Sequence, residues 1–373
     1  MMQIPYITGD GIGEEIFYAM KKVVDSALSN VYGKEHKIEW IEILAGQKAL
    51  NRVGELLPAE TIETIKKYKI AIKGPLMTPV GKGYRSLNVT LRQVLDLYAC
   101  IRPVKYLPGV PSPIKKAENV DMVVFRENTE DVYSGIEWEA DSEEIKKVKE
   151  FLRQNFGITL REETGIGVKP ISRFASQRIV RKALEYALKN NRKKVTIVHK
   201  GNIMKYTEGA FRKWAYELIE SEYKDKIKDK VEVNDVIADN MFQQIVLHPE
   251  NYDVIVTTNL NGDYLSDAIA ALVGGIGLTS GVNMSDEVAL FEPVHGTAPD
   301  IAGKNIANPT SMILTACMML EHIGLFQASK KIYNALVKTI NSGLVTKDLS
   351  ELKGISSWLG TSEFADMVIK NLE

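Results

Sequence analysis

The chain lacks most of the features that would place it in a specialised class. Only two of its 373 residues are cysteines, Cys100 and Cys317, each set in an apolar run. This excludes a disulfide framework or a cysteine zinc site and fits core packing in a reducing compartment. Neither sign of charge dominates. The formal net charge is −1, so no overall field favours nucleic acid or an anionic membrane. The longest apolar runs, around residues 268–278 and 311–320, are too short to span a bilayer. The opening residues, Met1 to Thr8, have neither the basic nor the apolar region of a signal peptide. No P-loop motif, internal repeat or low-complexity segment is found. What remains is an ordinary globular composition, 45% hydrophobic and 25% charged, with length enough for two domains. The expectation is a cytoplasmic enzyme with no nucleic-acid and no membrane partner.

Strand-like and helix-like stretches alternate. Residues 3–8, 37–44 and 68–72 read as strands, with helices at 14–27 and 57–67 between them. That alternation predicts an α/β architecture with a largely parallel sheet. The first strand–helix corner, Gly9-Asp-Gly-Ile-Gly13, imitates a dinucleotide loop. Its spacing is G-x-G-x-G, however, not G-x-G-x-x-G, and Glu14 and Glu15 would face any pyrophosphate. It is read as a tight turn, and a Rossmann fold is rejected. The run Val273-Gly-Gly-Ile-Gly277 is read as close backbone packing.

The chemistry concentrates elsewhere. The β-branched run 254–256 predicts a buried strand, with Asn259, Asn261 and Gly262 as the following turn and Asp263 opening a helix. On that helix Asp263 and Asp267 share a face. They either cap the helix and favour its dipole, or hold a hard cation such as Mg2+ or Mn2+. Asp239 is a third acidic residue after a predicted strand, 231–238. Upstream, a helix at 86–95 opens on Ser86 as its cap and carries Asn88 and Arg92. Arg102 lies in a strand at 99–105, and Arg126 stands at the end of a strand at 121–125. A lone arginine is usually a solvated charge. Three beside a serine and an asparagine suit a polyanion, because guanidinium forks match carboxylates. Residues 292–309 form a long polar loop, of a length that is usually functional or disordered. Its spaced His295, Thr297, Asp300 and Asn308 favour an ordered ligand loop. Residues 130–169 are irregular apart from a charged helix at 142–156, which suits a protruding arm or a subunit contact.

Five segments in order carry a family resemblance. They are RSLNVTLR (Arg85 to Arg92), FREN (Phe125 to Asn128), HKGNIMK (His199 to Lys205), NLNGDYLSD (Asn259 to Asp267) and HGTAPD (His295 to Asp300). The chain resembles the isocitrate dehydrogenases of prokaryotic type in the β-decarboxylating dehydrogenase superfamily, from Ile4 to about residue 370. Relatives acting on isopropylmalate or homoisocitrate usually lack the Ser86 and Asn88 pair and differ around Asn259 to Asp263.

The resemblance implies a two-domain isocitrate/isopropylmalate dehydrogenase-like fold with a clasp. Residues 1–97 and 274–373 would form a large domain with the cofactor loop. Residues 98–130 and 173–273 would form a small domain, and 131–172 the clasp of a homodimer with shared active sites. Isocitrate would be oxidised and decarboxylated with NAD. Its carboxylates would meet Arg92, Arg102 and Arg126, with Ser86 and Asn88 reading the distinctive one. Asp263 and Asp267, with Asp239 from the neighbour, would hold Mg2+ or Mn2+. Asp263 or the neighbour's Lys200 would take the hydroxyl proton, and Tyr133 would protonate the carbon. Cofactor contacts would come from Met77, Thr78, Asn202, His295, Gly296, Thr297, Ala298, Asp300, Ile301 and Asn308. NADP-using relatives carry Lys-Tyr where this chain has Asp300-Ile301, and a tyrosine and an arginine at Lys347 and Glu351. A further arginine, from their partner subunit, is His248 here. A 2′-phosphate beside Asp300 would cost on the order of 4 kcal/mol at about 4 Å and a dielectric near 20, so NAD is expected. A regulatory kinase acting at Ser86 is a further implication. Rivals are a homoisocitrate or isopropylmalate dehydrogenase, a non-catalytic tricarboxylate-binding subunit, and a magnesium-dependent phosphoryl transferase, which the missing P-loop weakens.

Overall fold

A computed structural model describes residues 2–77 and 86–372. The expected loop at 78–83, with Thr78, and the neighbouring Arg85 lie outside the described residues. In chain order the strands are β1 (Met2–Ile7), β2 (Ile38–Glu42), β3 (Ile70–Lys73), β4 (Ala99–Lys105), β5 (Asp121–Glu127), β6 (Glu137–Trp138), β7 (Ile166–Gly167), β8 (Lys194–His199), β9 (Glu232–Ile237), β10 (Val254–Thr257), β11 (Ser280–Met284) and β12 (Ala289–Pro293). Ten of them form one sheet, ordered β2-β1-β3-β12-β11-β4-β5-β10-β8-β9. The fold is α/β, as expected, and is not a Rossmann arrangement.

The sheet is parallel toward both edges, but its centre is antiparallel through β12, β11, β4 and β5. The cause is local. Only residues 285–288 separate β11 from β12, and so short a link can reverse the chain but cannot cross over a sheet. Strands drawn from residues 1–97 and 274–373 occupy one half of the sheet, and those from 98–130 and 173–273 the other. The halves meet where β11 pairs with β4, Val282 opposite Ile101, and the sheet is continuous there. Helices cover it. Gly13–Tyr32 buries Ile16, Phe17, Met20, Val23 and Val24 against β1, at the spacing of an amphipathic helix. Within residues 131–172, β6 and β7 form their own antiparallel pair. The helix Glu143–Phe156 between them buries only Ile145 and leaves Phe151 and Phe156 exposed.

The glycine corner after β1 is a tight turn serving another purpose than phosphate binding. A Cβ on Gly11 would lie 2.0 Å from the Thr297 carbonyl oxygen, and the backbone there has φ +58°. The Ile12 amide donates to that carbonyl at 2.9 Å. The buried Asp10 carboxylate accepts the amides of Gln47 and Met77, both at 2.8 Å. The turn therefore fastens two segments of the expected cofactor region, one at Met77 and one at Thr297. The second glycine run is close-packed at Gly274, whose Cβ would meet Val110 at 2.6 Å, but Gly275 and Gly277 face open space.

Candidate active site

The helix after β10 begins earlier than the sequence suggests. It runs Asn259–Leu272, so Asn259, Asn261 and Gly262 are helical rather than a turn, and Asp263 is not a cap. The Thr258 hydroxyl donates to buried Glu208 at 2.8 Å, and the Leu260 amide donates to buried Asp131 at 3.0 Å. These bonds stabilise an Asn-Leu-Asn-Gly start that intrinsic propensity disfavours. Asp263 and Asp267 still lie one turn apart on one face. Asp263 is part-buried, and Asp267 keeps about half its side chain exposed.

Gly262 has a steric reason. A Cβ there would sit 2.6 Å from Cγ of Arg126, whose side chain crosses the helix at that point. Arg126 lies within β5, not beyond its end, and is 1% exposed. Its Nε donates to Asn259 at 2.8 Å, its Nη1 donates to Asp263, and its guanidinium carbon lies 4.8 Å from the centre of the Tyr133 ring. The Tyr133 hydroxyl donates to the other Asp263 oxygen at 2.7 Å. Arg102, from β4, donates to Ser266 at 2.6 Å and Asp267 at 3.2 Å. Arg92, on the helix Leu87–Val94, donates to Glu292 at 3.2 Å. The three arginines are therefore not free. Each is paired with a carboxylate, because a charge this buried requires a partner.

Glu292 was expected in the polar loop but lies inside β12, where it is the hub of a buried network. Lys73 approaches it at 2.6 Å and Asn283 donates to it at 2.6 Å, while Asn128 donates to Asn283 at 2.9 Å. None of these partners stood out in the sequence. Signals existed in two of them: Lys73 ends a fully buried strand, and Glu292 interrupts the apolar run Ala289-Leu-Phe.

Charge is crowded here. Arg126 has its pKa lowered first by burial and then by the charges of Arg92 and Arg102. Asp263 is pushed up by burial, but Arg126, the Tyr133 bond and Arg102 outweigh this and hold it below the usual aspartate value. Asp267 is raised, chiefly by burial and also by Asp263, despite Arg102. Tyr133 is raised by burial and by its bond to Asp263, so its phenol stays protonated at neutral pH. Among the described residues, several buried polar atoms have no partner: Arg126 Nη2, Arg92 Nε and Asn88 Oδ1. Buried polar atoms are normally paired, so such orphans point to a missing ligand. Ser86 occupies the cap position, but its hydroxyl makes no cap bond.

The donor set fits a hard divalent ion in part. Asp263 and Asp267 offer oxygens from one helix face, and the elevated Asp267 carboxyl would be relieved by a cation. Asp239 does not join them. It sits in the first turn of the helix Ala238–Leu247, after β9, bonded to Lys200 Nζ at 2.6 Å. β8 lies between β9 and β10, a separation of roughly 10 Å at ordinary strand spacing. Among the described residues no three potential ligands cluster within one chain. Lys200 and the exposed Asn202 lie on the loop after β8, with Lys200 turned to Asp239 and not to Tyr133.

The loop after β12 is ordered by its own bonds. The His295 ring bonds the Gly296 carbonyl at 3.0 Å, leaving Nε2 buried and without a partner. Burial lowers the His295 pKa, so the ring is neutral at pH 7. Ala298 has φ +37°, and its carbonyl accepts the Ile301 amide at 3.1 Å. Asn308 donates to Asp348 at 2.9 Å, Gly296 and Asp300 are exposed, and Lys347 and Glu351 lie 3.9 Å apart. The orphaned imidazole nitrogen and exposed loop backbone beside Met77 fit a polar, extended cofactor.

Comparison with known proteins agrees with this geometry. A protein named isocitrate dehydrogenase (NADP) from Archaeoglobus fulgidus is 54% identical, over 99% of this chain and 92% of its own length. One of the same name from Streptococcus salivarius is 51% identical, over 98% of this chain and 94% of its own. The crystal structure of isocitrate dehydrogenase from Methylococcus capsulatus superposes with a TM-score of 0.86 at 41% identity, covering 100% of this chain and 99% of that one. The NADP in the relatives' names runs against the NAD preference expected from Asp300, which they do not support. The model of the isocitrate/isopropylmalate dehydrogenase family matches residues 3–368, and the chain belongs to that family.

Proposed function

We propose that the protein converts isocitrate to 2-oxoglutarate and CO2 while reducing a nicotinamide dinucleotide. The observation that carries this reading is the crowding of Arg92, Arg102 and Arg126, with orphaned buried donors, around two carboxylates on one helix face. An acid with several carboxylate arms would satisfy the donors. Ser86 and Asn88 would take the arm that distinguishes isocitrate from isopropylmalate.

Asp263 and Asp267, with Asp239 of a second subunit, would hold Mg2+ or Mn2+. Such an ion supplies charge that acidifies the substrate alcohol and steadies the enolate left by CO2 loss. Met77 and the segment His295 to Asn308 would hold the dinucleotide, whose nicotinamide supplies a hydride acceptor when bound. The chain's own groups do the rest. Arg126 keeps Asp263 ionised, which makes it a better ligand than base. The alcohol proton would then leave through Lys200 of the second subunit. Tyr133, protonated and bonded to Asp263, would give its proton to the carbon that has lost CO2. Arg102 and Arg126 share their aspartates with the incoming acid, so substrate and cation would bind together.

A homodimer would bring Asp239 and Lys200 of one chain to Asp263 of the other, and their separation within one chain supports that reading. The exposed aromatic residues of 131–172 suit a clasp, and the large- and small-domain division at β4 and β11 suits a cleft. The coenzyme is the divided point. NADP stands in the relatives' names, which do not support the NAD preference expected from Asp300. Phosphorylation of Ser86 by a kinase would place negative charge against the arginines and block the acid.

The test is formation of reduced coenzyme and 2-oxoglutarate from isocitrate, isopropylmalate and homoisocitrate, with NAD and NADP side by side. Turnover confined to isocitrate supports the reading. Turnover of isopropylmalate alone, or of none, overturns it, and a higher kcat/KM with NADP removes the NAD preference.

A further inference from the structure

His199 ends β8 and is 5% exposed, directly before Lys200. Its Nδ1 lies 3.0 Å from the Gly201 amide nitrogen, and its Nε2 lies 3.0 Å from Asp235 Oδ2. A backbone amide can only donate, so Nδ1 carries no proton and accepts. The ring proton of the neutral imidazole is then on Nε2 and points at Asp235. Asp235 is itself fixed. Arg212 donates to both of its oxygens, at 2.8 and 2.9 Å, and Tyr216 donates at 2.8 Å. Those bonds outweigh burial and hold the Asp235 carboxyl far below its ordinary value, so it remains an acceptor.

The loop beyond is held at other points as well. The Lys200 amide donates to buried Glu208 at 2.9 Å, and the Lys200 carbonyl accepts from Ile203 and Met204 at 3.2 and 3.1 Å. A Cβ at Gly201 would lie 2.8 Å from the Gly209 backbone and 3.0 Å from His199 Nδ1, so the loop is pressed onto the ring. None of these groups touches Asp263 or Tyr133. We propose that Asp235 and His199 are positioning residues for Lys200. Asp235 selects the Nε2–H tautomer, His199 Nδ1 grips the Gly201 amide, and the backbone from which Lys200 and Asn202 project is held in one place. This rests on the reading above, in which Lys200 acts on the substrate of the second subunit. Orienting a ring through its other nitrogen is a general device, and here it is directed at a lysine loop.

The experiment compares His199→Phe, His199→Asn and Lys200→Met in the intact protein, measuring kcat, KM for isocitrate and Tm. Phenylalanine keeps the ring volume but cannot accept the Gly201 amide. It is expected to lower kcat about a hundredfold, as a displacement of roughly 1 Å does, and to leave KM nearly unchanged. Asparagine returns an acceptor near the Nδ1 position and is expected to recover most of kcat. Full turnover in His199→Phe, with Lys200→Met inactive, overturns the positioning role alone. Proportional losses in kcat and Tm for both histidine variants, without recovery by asparagine, also overturn it, leaving only a structural part. Full turnover in Lys200→Met overturns the assigned role of Lys200 instead.

Discussion

Single side chains here are tuned by their pairings, and Tyr133 is the plainest case. Its hydroxyl is held by Asp263 while its ring lies beside Arg126. Tyr133→Phe keeps the ring and removes the hydroxyl, with its proton and its bond to Asp263. It is expected to cut kcat by about a hundredfold or more, the usual worth of a general acid, with Tm little changed. Steady-state kinetics with a melting curve checks this. Asp267 offers a pH signature. Its raised carboxyl must ionise before it can hold a cation, so Mn2+ affinity should weaken as pH falls through a value above that of an ordinary aspartate. Mn2+ titrations across pH 4–7, roughly the window around carboxylate values, should show the loss begin earlier than for a free aspartate. Glu292 carries the opposite sign. Its folded carboxyl is held far down by Lys73 and Arg92 against the effect of burial. Its contribution is present above the unfolded glutamate value and is lost as pH falls through the depressed one. Glu292→Gln should destabilise by about 3 kcal/mol at pH 7, because removing one partner leaves buried charge unpaired. Denaturant unfolding at neutral pH and near pH 3 would show that gap shrink in acid.

At the scale of elements, the helix Asn259–Leu272 exists in its observed position because buried acids receive its first turn. Gly262→Ala separates two effects. Helix propensity alone favours alanine by about 1 kcal/mol. The Arg126 side chain, 2.6 Å from the added carbon, reverses the sign. Net destabilisation of about 1–3 kcal/mol, typical of overpacking, with a loss of kcat/KM, is expected from unfolding curves and kinetics.

The same helix shows which features are legible in a sequence. The β-branched strand before it, the i,i+4 aspartates and the arginines all follow from residue type and spacing. The position of its first turn does not, because the residues that stabilise it, Asp131 and Glu208, lie far away in the chain. The same reason hides the Glu292–Lys73–Arg92 network and the antiparallel sheet centre, since strand order is set by pairing across the molecule. Ser86 takes the cap position read from the sequence, but its side chain makes no cap bond. The charged helix Glu143–Phe156 was readable because it has so little to bury, Ile145 alone.

For the whole molecule, Asp239 lies away from Asp263 and Asp267, and the proposed reading completes the site with Asp239 of a second chain. Asp239→Asn and Asp267→Asn should each be nearly inactive alone. After unfolding and refolding together, mixed dimers would carry one site with both native aspartates and one with neither. About a quarter of wild-type turnover should return, for random pairing in a symmetric dimer, and no recovery is expected from a site within one chain.

The central claim is that these carboxylates and guanidiniums work on isocitrate only around a divalent ion. The most direct measurement is the initial rate of coenzyme reduction from isocitrate by chelator-stripped protein, titrated with Mg2+, for wild type beside Asp267→Asn. The expected result is no turnover without metal, full recovery for wild type, and recovery for the variant only at far higher Mg2+. Undiminished turnover by the stripped protein, or the same Mg2+ dependence in both, would contradict it.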